Sequence, residues 1–277
     1  MPEVVNARAA APAAAALLAI LLAACASPSP AEPRPLPPKR LPVAGERFWV
    51  GEHAAFAIAP QRAAEAGERP SVRWVLYAPT LAPYPDDNEV WLIDRLLASG
   101  IGVAGIDVGE SYGNAAGAAA FAALCEAMTA RGWSPTPVLL ARSRGGLQQL
   151  AFAAAHPQRV AAIACIYPVF DLRSYPGLDK AAGAYGTDAA GLEAALAEHN
   201  PIERIAPIAA AGVPIFAIHG DADQLVPLEA NSAALAARYR ALGGEIELEI
   251  AKGQGHSAWP GFFRSERLLR FVLLHAR

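Results

Sequence analysis

A serine at position 143, two aspartates at 221 and 223 and a histidine at 256 are the side chains whose types and order suit nucleophilic chemistry. A serine hydroxyl attacks a carbonyl only when a base removes its proton, and the base works best when a carboxylate fixes its ring. Ser143 lies in "VLLARSRGGLQQLAF" (138–152), where an apolar strand-like run meets a helix-like one. A serine raised on so tight a turn exposes its hydroxyl at the edge of a sheet, beside a helix N-terminus that favours developing negative charge. Only small residues fit two positions to either side, and these are Ala141 and Gly145, giving A-x-S-x-G rather than G-x-S-x-G. Taken alone, the motif reads equally well as a helix-capping serine. The aspartates in "IFAIHGDADQLVP" and His256 in "IAKGQGHSAWPGF" supply what a nucleophile needs, each just after a strand-like run.

The elements that must position these residues alternate. "RFWVGEHAAFAIA" reads as two short strands joined at 51–53, and 72–79 as a third. "NEVWLIDRLLASG" has the helical period and stops at Gly100, 101–108 is a buried strand, and the alanine-rich stretch closed by Gly132 is a helix. Strands follow at 136–142, 160–167, 214–219 and 245–250, with helices after Ser143, at 228–242 and from about Gly261. Nearly continuous apolar strands alternating with helices predict an α/β fold: a mostly parallel sheet of about eight strands flanked by helices, with chemistry at the strands' carboxyl ends. The rhythm breaks at 171–212, between the sixth and seventh strands, where an insertion carries a helical run at 189–198 and reads as a cap, a binding loop or a surface excursion.

In "ARSRGG", "HGDADQLVP" and "GQGH" the sequence resembles the α/β-hydrolase family, in particular the branch related to prolyl oligopeptidase and dienelactone hydrolase. The resemblance spans the domain from about Arg47 to the C-terminus. It implies Ser143 as nucleophile, His256 as general base and then acid, and Asp223 as the orienting carboxylate, because the family's acid precedes x-x-V-P. Asp221 is then a turn residue bonding its own backbone. It also implies an oxyanion hole built from the backbone N–H of Arg144 and one from the loop after the third strand. That loop reads "YAPTLAPYP" where the family commonly has His-Gly, so Thr80 aligns best as the second donor, with Leu81 the alternative.

Other polar residues frame this core. A cation at the start of a helix opposes its dipole, so Arg144 needs a carboxylate or a ligand anion nearby. Arg142 either pairs with Glu110 or contacts an acidic substrate, and Tyr84, Tyr112, Tyr175, Tyr185 and Trp259 either line the cleft or pack in the ordinary way. Arg142, Glu110, Tyr185 and Trp259 are the chosen candidates for substrate contact. Asp86-Asp87-Asn88 precedes a helical run and reads as its cap rather than as a metal cluster, and no histidine has a metal-like neighbour at useful spacing. No metal or organic cofactor is expected.

The 277 residues are 54% hydrophobic, enough for one substantial core, and the net charge of −3 with three scattered lysines excludes a nucleic-acid footprint. The run from Ala9 to Ala24 follows Arg8 and has the length of a signal-peptide core, too short for an ordinary membrane span. Its end, Leu22-Ala23-Ala24-Cys25, resembles the lipobox of bacterial lipoproteins, which implies lipidation of Cys25; a plain secretory signal and a retained N-terminal helix are the alternatives. The expected organisation is a signal peptide at 1–24, a lipidated cysteine and Pro-rich tether at 25–43, and a hydrolase domain at 44–277. The protein is then exported and held to a bacterial membrane by its lipid alone, facing periplasm or exterior. Cys125 and Cys165 are expected as two buried free thiols. The function expected is cleavage of a small carboxylic ester, an acyl group on a carbohydrate being one such substrate, through an acyl-enzyme. A prolyl oligopeptidase-type peptidase and a non-catalytic tethered binding protein are the rivals.

Overall fold

Eight strands form one sheet in the order β1-β2-β4-β3-β5-β6-β7-β8. They are β1 (Glu46–Val50), β2 (His53–Ile58), β3 (Arg73–Ala78), β4 (Ile101–Ile106), β5 (Val138–Arg142), β6 (Ala162–Ile166), β7 (Ile215–Gly220) and β8 (Ile246–Ala251). The computed structural model describes residues 1–2, 34–60 and 71–277. Cys25 and the expected cleavage region lie outside the described residues. A unit at Met1–Pro35 is separate from the unit at Leu36–Arg277, which contains the sheet. Among the described residues no helix is long and apolar enough to cross a membrane.

The β1–β2 and β2–β4 pairs are antiparallel and all the others parallel. This is the expected α/β-hydrolase sheet. β5, β6 and β7 are buried along their whole length, as a parallel sheet covered on both faces requires. Because side chains alternate along a strand, the sheet feeds two cores. Leu76, Leu139, Ile163 and Ala217 enter one, with Phe121 and Leu124 of helix α2 (Ala115–Ala130), Leu150 of α3 (Gly145–Ala155) and Tyr239 of α4 (Ala234–Ala241). Val75, Tyr77, Leu140, Ala164 and Phe216 enter the other, with Ile93 of α1 (Val90–Ala98) and Val272 of α5 (Glu266–His275). Cys125 and Cys165 are buried and free, and burial pushes the Cys125 thiol up to about 12.

Two helices differ from their expected form. The stretch at 228–242 begins with a wide π-type turn at Glu229–Ala233 before α4. The widened turn buries Asn231, whose Oδ1 accepts the N–H groups of Phe170 and Asp171, and Ser232, whose hydroxyl meets His219 Nδ1 at 2.8 Å. Local polar demands have outweighed the regular helix. The run at 189–198 is two short helices, Ala189–Ala194 and Leu196–His199. They belong to the insertion between β6 and β7, which has its own apolar cluster: Leu172, Ala181, Ala182, Leu192 and Leu196 pack with Leu147, Val169 and Val226.

The unit at Leu36–Arg277 begins with the last residues of the Pro-rich stretch. Leu41 and Val43 pack against the second core, Arg47 donates to Pro37 O, and Arg40 pairs with Asp87 at 3.0 Å. Residues 36–43 are therefore a strap lying on the domain.

The tightest point of the fold is where α3 starts. A Cβ on Gly145 would stand 2.2 Å from Ala78 O and 2.7 Å from Pro79 N, and one on Gly146 would stand 2.4 Å from Val169 O. These obstacles are backbone and cannot swing aside. Gly145→Ala is expected to lower the unfolding free energy by about 2 kcal/mol through overpacking, read as a fall in the urea midpoint; an unchanged midpoint would show that the end of β3 can yield.

Candidate active site

Ser143 follows the last residue of β5 and precedes α3, with a φ of +51°. The left-handed region costs a non-glycine residue about 1–2 kcal/mol, so neighbouring contacts must hold it. They come from the end of β6, the segment after it and the first turn of α3: the Ser143 N–H donates to Ile166 O at 3.0 Å, and Ser143 O accepts the N–H groups of Val169 at 2.8 Å and Gly146 at 2.9 Å. The hydroxyl is thereby lifted to the carboxyl edge of the sheet, where Ser143 Oγ lies 2.8 Å from His256 Nε2. Ser143 stands on a strand–turn–helix elbow, the geometry a nucleophile needs, and it is not a capping serine, since no side-chain cap bond closes α3.

His256 leaves the turn after β8 and Asp223 the turn after β7. His256 Nδ1–H donates to Asp223 Oδ2 at 2.7 Å, which leaves Nε2 as the acceptor facing Ser143. Asp223 Oδ1 accepts the N–H groups of Leu225 at 3.0 Å and Val226 at 2.8 Å. Burial alone would raise this carboxyl, but hydrogen bonds from His219, His256 and the Val226 N–H outweigh it and hold Asp223 well below the usual carboxylate range. His219 is fully buried; its Nε2 lies 2.9 Å from Val226 O and 3.4 Å from Asp223 Oδ2. Asp221 accepts its own backbone N–H, as the turn reading expects, and also that of Gly253 at 2.6 Å, with Lys252 beside it.

The two arginines part company. Arg142 does not pair with Glu110. It is buried, its Nη1 donates to Glu89 Oε1 at 2.8 Å and Asp86 Oδ2 at 3.0 Å, and its Nε donates to Tyr167 OH at 2.9 Å. Tyr77 OH donates to the same Glu89 oxygen at 2.8 Å. The geometric reason is the short turn at 87–89: Asp86 caps it, Glu89 closes the capping box, and both carboxylates are brought over the end of β5. Burial raises the Glu89 carboxyl, with Arg142 as the main opposing influence. Arg142 Nη2 has no protein partner among the described residues, and the guanidinium lines the cleft, over the Tyr84 ring at 4.5 Å and the Phe263 ring at 4.8 Å. Arg144 is the residue that pairs with Glu110, which supplies the carboxylate its position on the helix requires, and it lies over Tyr175.

A cavity of about 240 Å³ surrounds Ser143, walled by Pro79, Tyr84, Tyr167, Tyr175, Leu225 and Ala258 among others. Of the substrate-contact candidates, Arg142 lines it and three do not. Glu110 is spent on Arg144, Tyr185 donates to Tyr112 O at 2.8 Å and stacks on His199, and Trp259 packs edge-on against Phe262. Tyr185 turns away because its short helix packs into the insertion's own cluster. Thr80 is buried with its hydroxyl on Ile106 O; like the alternative donor Leu81, it lies outside the lining. Tyr167 was not singled out by sequence reasoning. Its φ of +34° turns it out of line with β6, and its ring supports His256 at a centroid distance of 4.4 Å. Its position after a strand at the carboxyl edge was the only signal.

The model of the prolyl oligopeptidase family (Peptidase_S9) matches residues 120–273, more than half of the chain, from within α2 to within α5, a stretch that carries Ser143, Asp223 and His256. The chain belongs to the prolyl oligopeptidase family. This family member is a serine hydrolase of the α/β-hydrolase fold. No curated protein sequence matches it. Among solved structures it is similar to MPT51 (FbpC1) of Mycobacterium tuberculosis, at 17% identity and TM-score 0.65, covering 85% of this chain and 100% of that one. It is similar to a puromycin-hydrolyzing peptidase of Mycobacterium tuberculosis at 20% identity and TM-score 0.63, covering 84% of this chain but only 38% of the peptidase. It is also similar to the carboxylesterase Cest-2923 of Lactobacillus plantarum, at 15% identity and TM-score 0.63, covering 84% and 95%.

The buried network beside the nucleophile has a thermodynamic signature. Arg142→Met leaves Glu89 without its counter-charge and is expected to cost about 3 kcal/mol in urea unfolding, whereas adding Glu89→Gln restores much of that by removing the stranded charge. Equal stability of the single and double variants would show that Glu89 does not depend on Arg142.

Proposed function

We propose that this protein hydrolyses small carboxylic esters through an acyl-enzyme formed on Ser143. The observation that carries the reading is the unbroken chain of hydrogen bonds from Ser143 Oγ to His256 Nε2 and from His256 Nδ1 to Asp223, opening onto a cleft. His256 takes the Ser143 proton as Oγ bonds to the ester carbonyl carbon, and the developing oxyanion is held by the Arg144 N–H and an N–H from the loop after β3. The C–O bond to the alcohol then breaks, with His256 returning the proton to the leaving oxygen. Water attacks the acyl-enzyme with His256 again as base, releasing the acid and regenerating Ser143. Asp223 keeps its charge throughout and stabilises the imidazolium.

The cavity supports a small substrate, since about 240 Å³ falls below the usual range for drug-sized ligands. An esterase neighbour covered over 95% of its length favours ester over peptide, while family membership favours short peptides as the second reading. Arg142 Nη2 and the Tyr84 and Tyr175 rings suit a polar acyl or alcohol group, an acylated carbohydrate being one such class. The proposal retains export and a lipid anchor at Cys25, which predicts that Cys25→Ser moves the protein from the membrane to the soluble fraction in a bacterial host; unchanged membrane retention would remove the anchor.

A fluorophosphonate probe is expected to label the wild type and not Ser143→Ala, and Asp223→Asn is expected to lower kcat on p-nitrophenyl acetate about 10⁴-fold, as loss of the tautomer-fixing carboxylate does elsewhere. A folded wild type that takes no label would end the enzyme reading. Faster turnover of a prolyl-peptide amide than of the acetate would exchange ester for peptide.

A further inference from the structure

The strap at 36–43 reaches the active-site edge through one side chain. Lys39 Nζ donates to Thr80 O at 2.8 Å, Leu81 O at 2.8 Å and Tyr84 O at 2.6 Å. These are three carbonyls of the loop after β3, and an ammonium has three protons to give. Leu81 O also accepts the Tyr84 N–H, which closes the loop into a turn around the cation.

The direction of those carbonyls fixes the direction of the N–H groups. In a trans peptide C=O and N–H point to opposite sides. With Thr80 O and Leu81 O drawn to Lys39, the N–H groups of Leu81 and Ala82 point away from the ammonium, although the Ala82 residue itself borders a cavity on the Lys39 side. Consecutive N–H groups turned one way form a concavity for an anion. Pro79 and Tyr84, which flank the segment, both line the cleft around Ser143. Pro79 carries no N–H, and Thr80 is packed into the sheet.

We propose that Lys39 is a positioning residue for this hydrolase: by gathering the loop carbonyls on one face, its ammonium holds the Leu81 N–H on the other, as the second oxyanion donor beside Arg144 N–H. The inference rests on the serine-hydrolase reading of Ser143. It moves the donor from Thr80 to Leu81, and it gives the strap a part in the chemistry.

The ammonium is half-buried, and its charged surroundings are Asp107 after β4 and Arg47 on β1, with His53 bonded to the Asp107 carbonyl. Burial lowers its pKa to about 8, Asp107 opposing and Arg47 adding to the shift. Above that pH the amine keeps two protons for three carbonyls, so the loop loosens and kcat falls. Stability moves the other way. The unfolded chain holds this proton up to a higher pH, so losing it between about pH 8 and 10 favours the folded state. A fall in kcat without a fall in the unfolding midpoint therefore distinguishes loop release from unfolding.

The test uses the full chain, p-nitrophenyl acetate as substrate, and a trifluoromethyl ketone, which binds as an oxyanion. Lys39→Met is expected to lower kcat roughly 100-fold, the scale of a lost oxyanion donor, with KM within about twofold and ketone affinity falling with kcat. Lys39→Arg is expected to recover part of the loss, and the alkaline fall in wild-type kcat is expected to be absent from Lys39→Met. A folded Lys39→Met with wild-type kcat and ketone affinity would overturn the inference. If Lys39→Met does not fold, the wild-type profile decides: kcat independent of pH from 7.5 to 9.5 would overturn it. Failure of the underlying reading looks different, since the wild type itself would then take no fluorophosphonate.

Discussion

The geometry of this site depends on how closely the turn at Ser143 is pressed between two neighbouring strands. The end of β3 leaves no room for a Cβ at Gly145, and the segment after β6 leaves none at Gly146. The same segment supplies the carbonyl and the N–H that hold Ser143 in the left-handed region. A strained serine is stable here because parallel strands on both sides fix the backbone it leans on. The sheet thus spends packing on a conformation the residue would not choose, and obtains an exposed hydroxyl next to a helix N-terminus.

A second dependence runs through charge. Arg142 neutralises two carboxylates delivered by the turn before α1, and its Nε steadies the tyrosine against which the His256 ring rests. The residue before Ser143 therefore supports the His256 ring, without touching it. This couples the two halves of the site through a buried pair in which neither charge can be removed cheaply alone. Asp223 is fixed in the same spirit: backbone N–H groups hold one of its oxygens, while His219 and His256 approach the other.

Much of this was legible in the sequence, for a physical reason. Parallel strands buried on both faces are continuous apolar runs, so β3 to β7 announce themselves, and Ser143 and Asp223 stand just past such runs, while His256 follows the alternating strand β8. What was hidden depends on distances along the chain that no local pattern encodes. Glu89 lies 53 residues before Arg142, while Glu110 is nearer in sequence and equally acidic, so the choice between them needed the fold. Tyr167 looked like the end of a strand because a positive φ leaves no mark in residue type. The helix at 228–242 was right in extent and wrong in its first turn, where Asn231 and Ser232 serve the loop and His219 rather than the helix.

The first part of the insertion between β6 and β7 closes on an apolar cluster with Leu147 of α3, while Ile202, Ile205 and Ile208 of its second part enter the first core of the sheet. Tyr175 is its contribution to the wall of the cleft. The insertion is thus rooted in the sheet's core at one end and carries a small cluster of its own at the other. Tyr175 packs on that small cluster, whereas Tyr84 and Tyr167, on the same wall, pack in the second core of the sheet. In evolutionary terms one wall of the cleft is free to vary with a peripheral cluster, while the other can change only together with the sheet beneath it.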